Sequence, residues 1–302
     1  MSPELPSPVG LKMPLGWRES PEWDSLSKPH DDLLQQVADW GLSHVEFSTG
    51  GCRERSERER ARTEAEACAE RGLATYLHPY MGNGEDPCCY DFDARCGESM
   101  HRVIDTAADV ARRCGMECVV VFHPGSSELP PGADDRAEYR RKMVERAGRY
   151  LKALEDRLKR EDGRVRAVVE HQVPPGRDEP LMRVGDTFEE LLQVVRPTKL
   201  GICWDTGHYM RSMDVYGQPG EPPDEMFERT GYVHLHDVVD GADHRPVTAG
   251  SSGPRSFMQG LWQRGYRSPV TLEYHEKPML ERGGLEKSVR TALDALSKWA
   301  GA

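Results

Sequence analysis

The chain has 302 residues, a net charge of -11 and a mean hydropathy of -0.69. It contains no apolar stretch of the roughly 20 residues that a membrane-spanning helix needs, so no membrane partner is expected. Basic residues are mixed with acidic ones, as in residues 53–60, and this pattern argues against a nucleic-acid partner.

The beginning of the chain and its cysteines both indicate a cytoplasmic protein. The first ten residues lack a basic start followed by an apolar run, so no secretory signal is predicted. None of the eight cysteines belongs to a C-x-x-C pair, which favours reduced thiols. Three prolines fall within residues 1–9, and we expect this segment to be a flexible tail.

Short β-rich runs alternate with amphipathic segments along the chain. The predicted strands are residues 10–16, 43–49, 73–78, 117–123, 164–170, 200–205, 231–236 and 269–273. The predicted helices are residues 31–40, 53–71, 98–114, 136–160, 187–195, a short one within 209–229, 256–264 and 285–299. Strict alternation predicts a parallel sheet, and eight units predict a single (β/α)8 TIM barrel domain over residues 1–302. A doubly wound open sheet is the alternative, but no glycine-rich phosphate turn follows the first strand.

Ionisable residues stand where seven of the predicted strands end. In chain order they are Glu46, His78, His123, Glu170, Asp205 with His208, His234 with His236, and Glu273. In a barrel these ends meet at one mouth, where barrel enzymes place their chemistry. Such groups are rarely buried unless they are paired or bound to metal, and we recognise no lysine among them. The convergence therefore predicts a divalent-metal site.

Side-chain alternation predicts which strand residues face the barrel interior. Tyr76, Val121, Val168 and Thr271 each stand two residues before one of these strand-end groups and are placed on the inward face. Trp204 is expected to face the surrounding helices. Glu46 is interpreted as structural.

Five segments resemble the xylose isomerase-like TIM-barrel superfamily, which joins sugar phosphate isomerases and epimerases with endonuclease IV-type abasic-site nucleases (AP endonuclease family 2). The segments are residues 119–126 (VVVFHPGS), 168–170 (VVE), 203–208 (CWDTGH), 233–237 (VHLHD) and 270–273 (VTLE). The resemblance covers roughly residues 40–280. The D-T-G-H and H-L-H-D segments are specific when they occur together in this order.

The epimerase branch of the superfamily implies a single-metal site. In ketose 3-epimerases one Mn²⁺, Mg²⁺ or Co²⁺ ion is held by a Glu, an Asp, a His and a second Glu. The matching positions here are Glu170, Asp205, His234 and Glu273. The resemblance implies that Glu170 and Glu273 also move the proton beside the carbonyl. His208 matches a position that contacts substrate.

The nuclease branch implies three Zn²⁺ ions held by additional histidines. The residues that resemble these extra ligands are His78, His123, His208 and His244. The chain departs from the nucleases because Asp243 and His244 are adjacent, where the nucleases have Asp-x-His. Their Gly-Glu-Gly is also missing from residues 248–253. The four histidines, together with His236, are left open between substrate contact and further metal binding.

We therefore predict a divalent-metal-dependent isomerase or epimerase that acts on a sugar or related polyhydroxy-carbonyl compound by proton transfer. It would hold one Mn²⁺, Co²⁺, Mg²⁺ or Zn²⁺ ion. The alternative is a multi-zinc hydrolase or lyase related to endonuclease IV, including an abasic-site phosphodiesterase, with up to three ions. A barrel that binds a ligand without turnover is the third hypothesis. The partner is a small-molecule substrate, and a homo-oligomer is left open. The loops expected to set specificity are residues 81–97, 126–135, 173–186 and 209–223.

Overall fold

Eight parallel strands close into a barrel in which each strand pairs with its neighbours in the chain. The computed structural model describes residues 5–30, 32–81, 92–128, 135–176 and 180–301, without the side chains of residues 22 and 92–96. The barrel strands are β1 (Val9–Pro14), β2 (His44–Thr49), β3 (Ala74–Pro79), β4 (Cys118–Phe122), β5 (Val165–Glu170), β6 (Gly201–Asp205), β7 (Thr230–Leu235) and β8 (Val270–Leu272). Val9 lies opposite Val270, so β1 pairs with β8 and the sheet has no free edge. The predicted (β/α)8 barrel is confirmed.

Helices surround the barrel and follow its strands. They are α1 (Pro21–Ser27), α2 (Leu33–Asp39), α3 (Arg55–Ala69), α4 (Phe92–Cys114), α5 (Arg136–Leu158), α6 (Phe188–Val195), α7 (Thr206–Tyr216), α8 (Asp224–Arg229), α9 (Ser252–Gln263), α10 (Glu276–Glu281) and α11 (Leu285–Ala300). Side chains of Asp32, Asp135 and Thr187 accept backbone hydrogen bonds at the first turns of α2, α5 and α6, which fixes where these helices begin. Among the described helices, none has the combination of length and apolar character needed to cross a membrane.

Two apolar layers hold the barrel together. The interior is filled by a small cluster that includes Tyr76, Val121 and Val168, as predicted from side-chain alternation. A much larger cluster lies between the strands and the helices, and Trp204 belongs to it. The Trp204 ring lies 5.1 Å from that of Phe227, in α8, so the prediction that it faces the helices is confirmed.

The boundaries of several elements differ from the predictions. The eight strands shift by at most two residues at either end. Val9 opens β1, and the carbonyl of Pro8 accepts a hydrogen bond from the Val270 amide at 2.9 Å, so these residues belong to the barrel and not to the predicted tail. The segment between β7 and α9 contains an antiparallel pair, Asp237–Val239 with Ala242–Arg245, which the sequence did not indicate. A second pair joins Ser126–Glu128 to Leu181–Arg183.

His44 is buried at the start of β2 and takes part in the closure of the barrel. Its ring hydrogen-bonds to Ser43 Oγ at 2.9 Å and Thr271 Oγ1 at 2.7 Å. The ring also covers Gly10, where a Cβ would lie 2.2 Å from it, so β1 needs glycine at this position. Burial lowers the pKa of His44 to about 3.

We expect His44 to make the fold sensitive to acid. Because its pKa in the folded protein is depressed from 6.5 to about 3, only the unfolded chain takes up this proton between those values. Stability present above pH 6.5 should therefore be lost as the pH falls, at up to about 1.4 kcal/mol per pH unit from this residue. Urea unfolding at pH 7.5 and pH 4.5 measures the loss. His44→Phe should show a smaller difference between the two pH values, and an equal difference would contradict the assignment.

Candidate active site at the mouth of the barrel

A cavity of about 520 Å³ opens at the C-terminal ends of the strands. Its polar lining includes Lys12, Tyr80, His123, Glu170, Gln172, Arg183, His208, His244 and Glu273. Its volume falls within the range of small-molecule sites. Of the strand-end groups predicted from the sequence, His123, Glu170, His208 and Glu273 therefore line a cavity of the size that a small molecule requires.

Four residues from four consecutive strands meet below this cavity. Glu170 and Asp205 are the last residues of β5 and β6, His234 lies in β7, and Glu273 follows β8. All four are buried, and one ligand atom from each lies within 4.8 Å of every other. His234 Nδ1 is 3.0 Å from Glu170 Oε1, 2.7 Å from Glu273 Oε2 and 3.8 Å from Asp205 Oδ2. The structure thus brings together the four residues that the resemblance assigned to the metal.

This group of four fits a divalent cation. Asp205 Oδ2 and Glu273 Oε2 are buried and have no hydrogen-bond partner. A buried carboxylate oxygen without a partner is costly, and bonding to a cation offsets that cost. Three carboxylates with one imidazole form a donor set that suits Mn²⁺, Mg²⁺ or Zn²⁺.

Contact with Glu46 orients the ring of His234. Its Nε2 lies 2.9 Å from Glu46 Oε2, which also accepts a hydrogen bond from Tyr232 Oη at 2.7 Å. When Nε2 donates to Glu46, the lone pair of Nδ1 is directed at Glu170, Asp205 and Glu273. Glu46, interpreted as structural from the sequence, therefore helps to position a candidate metal ligand.

Replacing Glu46 by glutamine should weaken metal binding by about 10- to 100-fold, because His234 loses its charged acceptor. Titration against a chromophoric chelator measures the affinity. Glu64→Gln is the matched control, since Glu64 is a buried carboxylate that pairs with Arg18 in the outer layer. An unchanged affinity in Glu46→Gln would show that His234 is held in place by other contacts.

The D-T-G-H segment leads directly from β6 into α7. Asp205 is the N-cap of α7, and its Oδ1 accepts a hydrogen bond from the His208 amide at 2.7 Å. A Cβ at Gly207 would lie 2.0 Å from the His236 ring, which explains the glycine. His208 Nδ1 donates to the His171 carbonyl at 2.9 Å and leaves a lone pair on Nε2.

The five histidines left open by the sequence all lie around this group. His78 and His123 approach Glu170, with their Nε2 atoms 2.9 Å apart. On the other side the rings of His236 and His244 stack with their centroids 4.2 Å apart, and His208 lies against both. These histidines form two further sets of candidate ligand atoms. The sets are His78 with His123 and Glu170, and Asp205 with His208, His236 and His244.

Lys12 corrects the expectation that no lysine joins these groups. It lies in β1, is buried, and its Nζ forms an ion pair with Glu273 Oε1. Leu11 and Met13 on either side of it pack in the helix-facing core. Because strand side chains alternate, a residue between them must point into the barrel, and this alternation is the signal that could have revealed it.

Both glutamates of the site are ionised at neutral pH. Burial by itself raises the pKa of Glu170, but the imidazoles of His78 and His123 hold it well below its usual value. Burial by itself also raises the pKa of Glu273, but His234 and Lys12 hold it well below its usual value. Burial lowers the pKa of His208, so its imidazole is neutral. The site thus offers two carboxylates and a neutral imidazole to a ligand.

The chain resembles known proteins in both sequence and structure. The profile of a family described as "Xylose isomerase-like TIM barrel" matches residues 34–299. The chain belongs to this family. It is also similar in structure to a D-tagatose 3-epimerase-like protein, at 18% identity and a TM-score of 0.68 over 97% of this chain and 96% of that chain. No curated protein matches the chain.

Two other solved structures similar to this xylose isomerase-like barrel carry epimerase names. An L-ribulose 3-epimerase has 15% identity and a TM-score of 0.66 over 98% of this chain and 95% of that chain. The E. coli 3-keto-D-glucoside 4-epimerase YcjR has 15% identity and a TM-score of 0.59 over 98% of this chain and 100% of that chain. At these identities the likeness shows the fold. The resemblance inferred from five short segments is confirmed by the family match.

Several residues that line the cavity of this family member had no role in the sequence interpretation. Trp23 donates from Nε1 to Glu276 Oε1 at 2.9 Å. His275 stacks on His244 with ring centroids 4.2 Å apart. Of the four loops expected to set specificity, those at 81–97, 126–135 and 173–186 contribute Met81, Ser126, Val173 and Arg183 to the lining. Parts of these three loops lie outside the described residues.

Proposed function

We propose that this protein is a divalent-metal-dependent isomerase or epimerase that moves a proton on the carbon beside the carbonyl of a sugar or related polyhydroxy compound. One observation carries the proposal. Glu170 and Glu273 are buried, ionised, grouped with two further cation ligands, and open to the same cavity. Carboxylates in this position serve both to bind a metal and to transfer a proton.

A bound Mn²⁺, Co²⁺, Mg²⁺ or Zn²⁺ ion would be held by Glu170, Asp205, His234 and Glu273. It would supply Lewis-acid polarisation of a carbonyl and the neighbouring hydroxyl, which would acidify the hydrogen on the carbon that carries this hydroxyl. Three carboxylates beside one imidazole favour an ion that accepts mostly oxygen ligands.

The two glutamates divide the proton transfer between them. They reach the cavity from β5 and from the end of β8, so one can remove a hydrogen and the other can return one. Glu170 Oε2 lies 2.7 Å from His123 Nε2, and the His123 side chain is 23% exposed. His123 therefore connects Glu170 with solvent. Glu273 is held in place by Lys12 through Oε1 and keeps Oε2 for the metal group.

The neighbouring structures support a sugar as the substrate class. Their printed names include a D-tagatose 3-epimerase-like protein and an L-ribulose 3-epimerase. The cavity of about 520 Å³ suits a monosaccharide, and it combines hydrogen-bonding side chains with the apolar face of Trp23. The net charge of -11 does not favour a nucleic-acid substrate.

Hydrogen exchange with solvent tests the proposal directly. Purified protein loaded with Mn²⁺ or Co²⁺ is incubated in D₂O with a panel of ketopentoses, ketohexoses and their aldose partners. We expect one deuterium to enter the carbon beside the carbonyl of at least one sugar, with the epimer or isomer appearing by NMR. Absence of both exchange and product across the panel, with metal bound, would overturn the sugar assignment.

A multi-zinc hydrolase or lyase is the second candidate, because the described residues include two further sets of ligand atoms. Three tightly held zinc ions per chain would favour it, since hydrolysis at phosphate uses two or three metals close together. Elemental analysis of freshly purified protein separates the candidates. One exchangeable ion supports the isomerase, and three zinc ions support the hydrolase.

A further inference from the structure

The three hydrogens of the Lys12 ammonium group all face acceptors within the protein. It forms an ion pair with Glu273 Oε1 and lies 2.7 Å from both Tyr80 Oη and His78 Nδ1. A lysine has three hydrogens to donate and no acceptor. Three acceptors therefore occupy all three hydrogens, and none remains for a substrate. The role of this buried lysine must lie in what it does to its neighbours.

One of those neighbours belongs to a second set of candidate metal ligands. The Nε2 atoms of His78 and His123 are 2.9 Å apart, and Glu170 Oε2 lies 3.2 Å from the first and 2.7 Å from the second. A cation at this point needs the lone pair of His78 Nε2. The ring hydrogen of His78 would then have to sit on Nδ1, where Glu46 Oε1 at 3.1 Å is the available acceptor.

Lys12 opposes that arrangement. Its Nζ is closer to His78 Nδ1 than Glu46 is, and an ammonium can only donate. Nδ1 must therefore accept, so the ring hydrogen lies on Nε2 and points toward His123 and Glu170. In this tautomer His78 cannot bind a cation through Nε2. The positive charge of Lys12 adds repulsion against a second ion at the same place.

We propose that Lys12 keeps a second divalent cation out of the set formed by His78, His123 and Glu170, by denying it His78. It acts as a positioning residue, because it works through His78 and Glu273. The inference rests on the proposed single-metal function and deepens it by explaining why this set of surplus ligands stays without an ion. It also predicts that the set becomes usable once the lysine is removed.

The test counts metal ions and uses no substrate. Wild-type protein and Lys12→Met are stripped with chelator, reloaded with excess Zn²⁺, desalted and measured by elemental analysis. We expect Lys12→Met to hold one zinc per chain more than the wild type, with this added site tightened by about 10- to 100-fold. Adding His123→Ala to Lys12→Met should return the count to that of the wild type. Lys28→Met, which alters an exposed lysine paired with Asp24, is the control and should hold as many zinc ions as the wild type.

Two results would overturn the inference. One is a wild type that loses a zinc ion when His123 is replaced by alanine, and the other is a folded Lys12→Met that holds no more zinc than the wild type. A measurement on the wild type covers the case in which Lys12→Met does not fold. Long-range ¹H–¹⁵N spectra, assigned with His78→Asn, should show a hydrogen on Nε2 of His78, whereas a hydrogen on Nδ1 would overturn the inference. If the zinc counts or the His78 spectra contradict the role of Lys12, hydrogen exchange at the substrate carbon is unaffected. This outcome is therefore distinguishable from failure of the proposed function.

Discussion

Glu170→Gln is expected to slow hydrogen exchange at the substrate carbon by about 100- to 10,000-fold, the usual contribution of a positioned acid or base. Glutamine keeps an oxygen for the metal group but cannot accept the proton. Exchange is measured in D₂O with the sugar that responds to the wild type. Glu155→Gln serves as the control, because Glu155 is a buried carboxylate in α5 that pairs with Lys152, outside the barrel mouth.

The matching variant Glu273→Gln separates epimerisation from isomerisation. An epimerase with one base on each face of the carbon should respond differently to the two changes. Glu170→Gln and Glu273→Gln should each lose exchange from one epimer and keep it from the other. With a single base, one variant should lose all exchange and the other should lose little. Retention of full exchange by both variants, with metal still bound, would remove both glutamates from the chemistry.

The barrel could be predicted from the sequence because parallel strands leave a strong pattern. Runs such as residues 118–122 are apolar at every position, since their strands are covered on both faces. Eight β-rich runs alternate with helices, and few folds satisfy this order. Element ends leave a weaker pattern. Asp205 ends β6 and its side chain caps α7, but aspartate is equally favoured in a turn.

The grouping of the four candidate ligands could be predicted from the sequence, but their supporting contacts could not. Glu170, Asp205, His234 and Glu273 stand at strand ends, where position in the chain already implies position at the mouth. Lys12 meets His78 across 66 residues and Glu273 across 261, and those distances become contacts only after the barrel closes. A lysine inside a strand is ordinarily exposed, so the residue type argued against a buried role. Closure of the barrel also brings Glu46, interpreted as structural from the sequence, into contact with His234.

Asp205 caps α7 with one oxygen and offers the other to the proposed cation, and two substitutions should separate these tasks. Asp205→Asn retains an oxygen to cap α7 but loses the charge, so metal affinity should fall by more than about 100-fold. This loss exceeds the roughly 10- to 100-fold effect of changing a residue that only hydrogen-bonds to a ligand. Asp205→Ala should lose metal to the same degree and also lose about 0.5–2 kcal/mol of stability with the cap. Chelator titration and thermal unfolding of metal-free protein measure the two effects.

The division follows from where each oxygen points. Oδ1 accepts from the His208 amide, whereas Oδ2 is buried without a hydrogen-bond partner and lies 3.8 Å from His234 Nδ1. A metal-free Asp205→Asn as unstable as Asp205→Ala would mean that the charge, and not the cap, stabilises the start of α7. Wild-type metal affinity in Asp205→Asn would instead place the cation away from Oδ2, and with it the chemistry assigned to Glu170 and Glu273.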